Sequence, residues 1–139
     1  MKGPASEANV EVSLEVLQTA IRASWCLETC DPTDAAGWAP TNPSLGQCAV
    51  TALVVHDFFG GELLEAEVLF QNGSRQGFHY WNRLAGVEVD LTREQFKSQE
   101  VVQEPQVIDR LPEFPWQAEE QYRVFRERVI EALIDRRFD

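Results

Sequence analysis

The apolar positions change their period along the chain, and each change marks an element. From Val10 to Trp25, the residues Leu14, Leu17, Ile21 and Trp25 recur at steps of three and four, the spacing that lines one face of an amphipathic helix. Residues 31–44, DPTDAAGWAPTNPS, lose that period and gather Pro, Gly, Asp and Thr, so they read as a loop. CAVTALVVHDFF (48–59) is apolar almost all round and runs into Gly60-Gly61. Its length favours a buried helix with a glycine stop over the rival reading, a buried strand.

Beyond it the pattern changes to strands. ELLEAEVLF (62–70) is the first, and Asn72-Gly73 begins a turn. FHYWNRL (78–84) and VEVDLT (87–92) are two more, joined across Ala85-Gly86. Thr92-Arg93-Glu94-Gln95 has the form of a capping box and predicts a short helix. Residues 100–117 hold three prolines and little periodicity, which predicts an irregular covering segment. The stretch 119–138 is helical, with Tyr122, Phe125, Val129 and Leu133 along one face. Helix, then antiparallel strands, then helix is the α+β order. Residues 1–9 read as a flexible tail and 10–139 as a single domain.

Composition narrows the partners. The chain has 139 residues, 44% apolar and 25% charged, with a formal net charge of -11. Such a charge repels a polyanion, so nucleic acid is not expected, while neutral or basic small molecules and peptides remain open. There is no signal-peptide core and no run of about eighteen apolar residues for a membrane span. The expectation is a cytoplasmic protein with no membrane partner and reduced thiols, which the odd cysteine count, Cys26, Cys30 and Cys48, also favours.

The chemistry turns on Cys48, at the head of the 48–59 helix. A thiol attacks as thiolate, and the free N–H groups at a helix start favour that charge. The Cys48 N–H, with the side-chain amide of Gln47 or Asn42, can donate to an oxyanion, and Gly46 lets the backbone approach a substrate. Of the two histidines, His56 lies eight residues along the same helix, about 12 Å away at 1.5 Å per residue, and is out of reach. His56 is expected to be buried, structural and hydrogen-bonded locally. His79 is on a strand. A two-residue loop at Ala85-Gly86 pairs Leu84 with Val87, Asn82 with Val89 and Trp81 with Asp90. Alternation then puts His79, Trp81 and Asp90 on one face, with His79 and Asp90 diagonal neighbours. Cys48, His79 and Asp90 therefore form a candidate triad, with the imidazole expected near the sulfur and the thiol pKa expected to be low.

The segments NPSLGQCAVTALVV, HYWNRLAGVEVDLTREQF and SWCLETC resemble the YunG-like family of small bacterial proteins. More distantly, a Cys at a helix start, then His-x-Trp and Asp-x-Thr on successive strands, resembles papain-like and transglutaminase-like cysteine enzymes. That likeness implies a papain-like (cysteine proteinase-like) core, with N-terminal helices packed on a small antiparallel sheet and a C-terminal helix. It implies Cys48 as nucleophile, His79 as base and Asp90 as orienting acid. In papain-like enzymes the oxyanion amide often precedes the cysteine by several residues, a place held here by Asn42, while Gln47 is the closer amide. The activity expected is that of a thiol hydrolase or acyltransferase without a cofactor. It would act on a small-molecule or peptide amide or thioester through a thioester acyl-enzyme. The competing reading is a non-catalytic binding module that retains the fold.

Cys26 and Cys30 are four apart, on one helical face if the first helix continues, but C-x3-C without a second pair is a weak zinc signal. A core role is expected for both and no metal. Trp81, Trp38 and Trp116 are candidates to wall a substrate cleft, whereas Trp25 reads as core.

Overall fold

The computed structural model describes residues 12–97, 99–110 and 119–137. The tail at 1–9 and Trp116 lie outside the described residues. Helix α1 is Leu14–Ser24, started by Ser13, whose Oγ accepts the Val16 N–H at 3.1 Å. Helix α2 is Cys48–Phe59, and helix α3 is Glu119–Arg137. Among the described residues five strands form one sheet: β1 Glu62–Phe70, β2 Arg75–Leu84, β3 Val87–Val89, β4 Glu100–Val102 and β5 Gln106–Ile108.

β1 is the centre of the sheet. β2 runs antiparallel along one side of it, and β4 and β5 share the other, β4 against Val68–Phe70 and β5 against Leu63–Glu65. The 100–117 stretch is thus no irregular cover over its first part: residues 100–102 and 106–108 are strands. Pro105 sits between them, where no ladder N–H is needed. The outer strand β3 joins β2 through Ala85 and Gly86, at φ 51° and 84°. Two positive φ values make the turn whose twist suits a two-residue hairpin. The register is the one the loop length predicts: Leu84 faces Val87 and Asn82 faces Val89. The strand expected to reach 92 ends at Val89, because Asp90 turns the chain. Its Oδ1 accepts the Thr92 N–H at 3.3 Å and leads into a single 3-10 turn, Arg93–Gln95. No capping box forms there. The Thr92 side chain makes no cap bond, and Gln95 donates its side-chain amide to the Thr92 carbonyl.

The main core lies between the helices. Leu17, Ile21 and Trp25 of the first helical segment meet Val50, Val54 and Val55 of α2 and Phe125 and Val129 of α3. Trp25 is core, and its indole N–H donates to Thr51 Oγ1 at 2.9 Å. α2 lies on the sheet face that carries Leu63, Tyr80 and Asn82, with Ala52 and Leu53 against Leu63 and the Asn82 amide on the Ala52 carbonyl at 3.0 Å. Leu64, Ala66 and Trp81 pack on the opposite face.

His56 is half-buried, and its bond is not local. Its Nδ1 accepts from Arg110 at 3.0 Å, and Arg110 also holds Asp57 Oδ1 at 2.7 Å and Tyr122 Oη at 3.0 Å. This network ties the end of α2 to the segment after β5 and to α3. Burial and the Arg110 charge lower the His56 pKa and keep it neutral. The helix α1 ends before Cys26, so Cys26 and Cys30 do not share a helical face; they flank a 3-10 turn, Leu27–Thr29. Cys30 is buried, with its thiol toward the Leu45 carbonyl, while Cys26 is half-buried.

Candidate active site

The start of α2 is built from the residues before it. Gly46 has φ +71°, and a Cβ there would lie 2.6 Å from Cys30 Sγ and 3.1 Å from the Asp31 nitrogen. Its lack of a side chain serves packing against Cys30 and Asp31, not only approach to a ligand. The Gly46 N–H donates to Gln95 Oε1 at 3.1 Å, which ties the loop to the turn after Asp90. Gln47 is fully buried, and both ends of its amide are engaged: Oε1 accepts from Thr29 Oγ1 at 2.7 Å and Nε2 donates to the Cys26 carbonyl at 3.0 Å. Gln47 is not among the residues that line the cavity of Cys48, so its amide is not placed for an oxyanion there. Asn42 lies in a turn between Ala39 and Leu45 and lines a neighbouring groove rather than the cavity of Cys48. What does open into that cavity, of about 70 Å³, is the first turn of α2, Cys48, Ala49 and Val50, and the N-cap side chain leaves that turn uncapped. The backbone donors of this turn are the better oxyanion group.

His79 and Asp90 come together as the hairpin register predicts. His79 Nε2 and Asp90 Oδ2 are 2.8 Å apart, with the imidazole fully buried. Trp81 stacks on the imidazole at 5.1 Å between centroids, and Phe96 meets its edge at 4.8 Å. Arg93 also donates to Asp90 Oδ2, at 2.7 Å, and its guanidinium lies 5.0 Å from the Trp81 ring centre. Burial by itself would raise the Asp90 pKa, but the hydrogen bonds and charges of His79 and Arg93 outweigh it and hold the carboxyl below its ordinary range. With Nε2 held by Asp90, His79 Nδ1 is left buried without a hydrogen-bond partner.

Cys48 meets β2 at the residue after His79. The Tyr80 backbone N–H points to its sulfur and favours the thiolate, but burial dominates, and with Asp90, Asp31 and Asp34 it pushes the thiol up to about 12. The surroundings thus act opposite to the low pKa expected of a helix start. No hydrogen bond joins the sulfur to His79 Nδ1. The cavity is lined by Phe78 and Tyr80, on either side of His79 in sequence, and by Phe96. Strand alternation sends His79 to the other face, with Trp81. The imidazole expected beside the sulfur therefore lies on the face of β2 opposite the one on which α2 packs.

Neither Trp81 nor Trp38 walls this cavity. Trp81 is buried, backs the imidazole and donates its N–H to Glu88 at 2.9 Å. Trp38 is half-buried and donates to the Pro43 carbonyl at 3.0 Å. Gln95, Phe96 and the Tyr80 N–H are the site residues that sequence reasoning missed. In the sequence Gln95 stands only as the fourth residue of the capping-box pattern. No group of three or more His, Cys, Asp or Glu among the described residues converges to hold a metal ion, and no helix among them is long and apolar enough to cross a membrane.

The profile of a family described as YunG protein matches residues 13–134. A protein of Bacillus subtilis (strain 168) described as "Uncharacterized protein YunG" is 41% identical over 61 residues, 44% of this chain and 48% of that protein. The match thus spans about half the length of that curated relative. No solved structure matches.

Proposed function

We propose that this chain, which belongs to the YunG family, is a thiol hydrolase or acyltransferase on a papain-like α+β core, acting on an amide or thioester. One observation carries the reading. His79 is clamped through Nε2 by Asp90 at 2.8 Å and keeps a buried, unpartnered Nδ1, one residue from the Tyr80 N–H that touches the Cys48 sulfur. A buried polar atom without a partner is rare and costly unless something uses it.

In the proposed step, His79 Nδ1 takes the Cys48 proton, and Asp90 stabilises the imidazolium. The thiolate then attacks the carbonyl carbon, with the oxyanion on the N–H groups at the head of α2. The C–S bond forms as the C–N or C–S bond to the leaving group breaks, and the leaving group takes the proton from Nδ1. Water or an amine attacks the thioester next. Its proton passes to His79 and on to the departing Cys48 sulfur, which restores the free thiol. Sulfur and Nδ1 share no hydrogen bond in the resting structure, so the first transfer requires the sulfur to close on Nδ1.

The second reading, a binding module, is favoured by the thiol held at about 12. Incubation with a panel of activated amide and thioester acyl donors, read by intact mass, separates the two. The enzyme reading expects a covalent acyl adduct on Cys48 that hydroxylamine removes and that Cys48→Ser does not accumulate as a thioester. A protein that binds donors yet never gains acyl mass is a binding module.

A further inference from the structure

The Cys48 cavity opens into a larger groove. The two share Asp31, Asp34, Phe78 and Tyr80, and the groove adds Glu65 and Glu100. None of these four carboxylates has an ion-pair partner among the described residues. Their hydrogen bonds come from neutral donors. Asp31 accepts from the Thr33 N–H and hydroxyl, Glu65 from the Tyr80 hydroxyl, and Glu100 from the Gln76 amide and the Lys97 backbone N–H. Four negative charges therefore line one groove without a cation between them, and its floor is aromatic: Phe78 is 45% exposed. A guanidinium already lies over that ring. Arg75 is 5.2 Å from its centre, with its charge engaged by Glu67 outside the groove.

These carboxylates do not converge as a metal site would, because no three such groups among the described residues come within reach of one ion. Spread charge over an aromatic floor suits an extended organic cation, which places an apolar stem on the rings and its charge among the carboxylates. Resting on the reading of Cys48 as nucleophile, we propose that the groove selects a substrate whose acyl group carries a stem ending in an ammonium or guanidinium. The stem lies on Phe78 and Tyr80, the cation among Asp31, Asp34, Glu65 and Glu100, and the carbonyl at Cys48. Burial holds the Cys48 proton in place, and the charges of Asp90, Asp31 and Asp34 add to it. A cation seated beside Asp31 and Asp34 offsets their repulsion and eases thiolate formation. Substrate charge thus serves both recognition and activation.

Three nitrophenyl esters of one shape test this: 4-nitrophenyl 4-guanidinobenzoate (cationic), 4-nitrophenyl benzoate (neutral) and mono-4-nitrophenyl terephthalate (anionic). The readout is the acylation rate of Cys48 by peptide mapping, each rate divided by that of the same ester with N-acetylcysteine. The expected result is that the cationic ester leads the neutral one by about tenfold or more at low salt, with the anionic ester slowest. That lead should shrink several-fold in ~1 M salt, where screening acts within about 3 Å. It should also shrink in Asp31→Asn/Asp34→Asn and, as a separately folding check, in Glu65→Gln/Glu100→Gln. In Asp31→Asn and Glu65→Gln the amide oxygen still accepts the hydrogen bonds named above, and in Glu100→Gln it accepts one of the two. Equal normalised rates for the three esters, with Cys48 acylated, overturn the charge selection and leave the nucleophile standing. No acylation of Cys48 by any ester overturns both.

Discussion

Gly46 shows how single atoms set the site. Its φ of +71° and the 2.6 Å approach of Cys30 Sγ exclude a side chain, so Gly46→Ala is expected to destabilise the fold by about 1–3 kcal/mol. Chemical denaturation reads the loss directly. Adding Cys30→Ala should recover the part due to overlap and leave the backbone part. Asp90 carries a second expectation, in pH. Its pKa lies below the ordinary 3.8 because its bonds to His79 and Arg93 outweigh burial. A carboxyl depressed in the fold contributes stability above its unfolded pKa and loses that contribution as pH falls through the folded value. Asp90→Asn should therefore be less stable than the parent near neutrality, with the gap closing below about pH 4, in parallel denaturation curves. The His79–Asp90 contact was legible from sequence because a two-residue hairpin leaves a single register. The state of the Cys48 thiol was not. A helix start argues for a low pKa, but burial and the charges of Asp31, Asp34 and Asp90 come from distant segments and prevail.

The longer elements follow the hydrophobic pattern closely. The all-round apolar run predicts a helix over 48–59, and α2 is Cys48–Phe59; alternation predicts a strand over 62–70, and β1 is Glu62–Phe70. The face of α3 is also as read, with Phe125 and Val129 fully buried against α1 and α2. Phe125→Ala should cost about 3–5 kcal/mol, because it empties the point where three helices meet. A lower midpoint at an unchanged denaturant slope checks that the loss is one of stability alone. The strands β4 and β5 escaped the reading for a physical reason. Each is three residues long, too short to show alternation, and each is held by pairing with β1 across distant sequence. The capping box at Thr92 failed for the same kind of reason. Gln95 is drawn by tertiary contact to Gly46 and to the Thr92 carbonyl, and Asp90 starts the turn in its place.

On the scale of the whole molecule, the helical core and the sheet bring the two halves of the proposed site to β2, one on each face. α2 brings the thiol and free backbone N–H groups; the hairpin and the turn after it bring the imidazole and its carboxylate. The acidic groove lies on the same side as the thiol, and Asp31 and Asp34 in it add to the burial that keeps that thiol protonated. The most direct measurement of this account is the iodoacetamide reactivity of Cys26, Cys30 and Cys48 across pH, resolved by peptide mapping in the native protein. If His79 Nδ1 accepts the Cys48 proton, Cys48 is labelled first and its rate levels off near neutral pH. His79→Ala then slows it by about tenfold or more, and Asp90→Asn by less. The contradicting result is a Cys48 that stays unlabelled until pH approaches about 12, behind Cys26 and indifferent to His79.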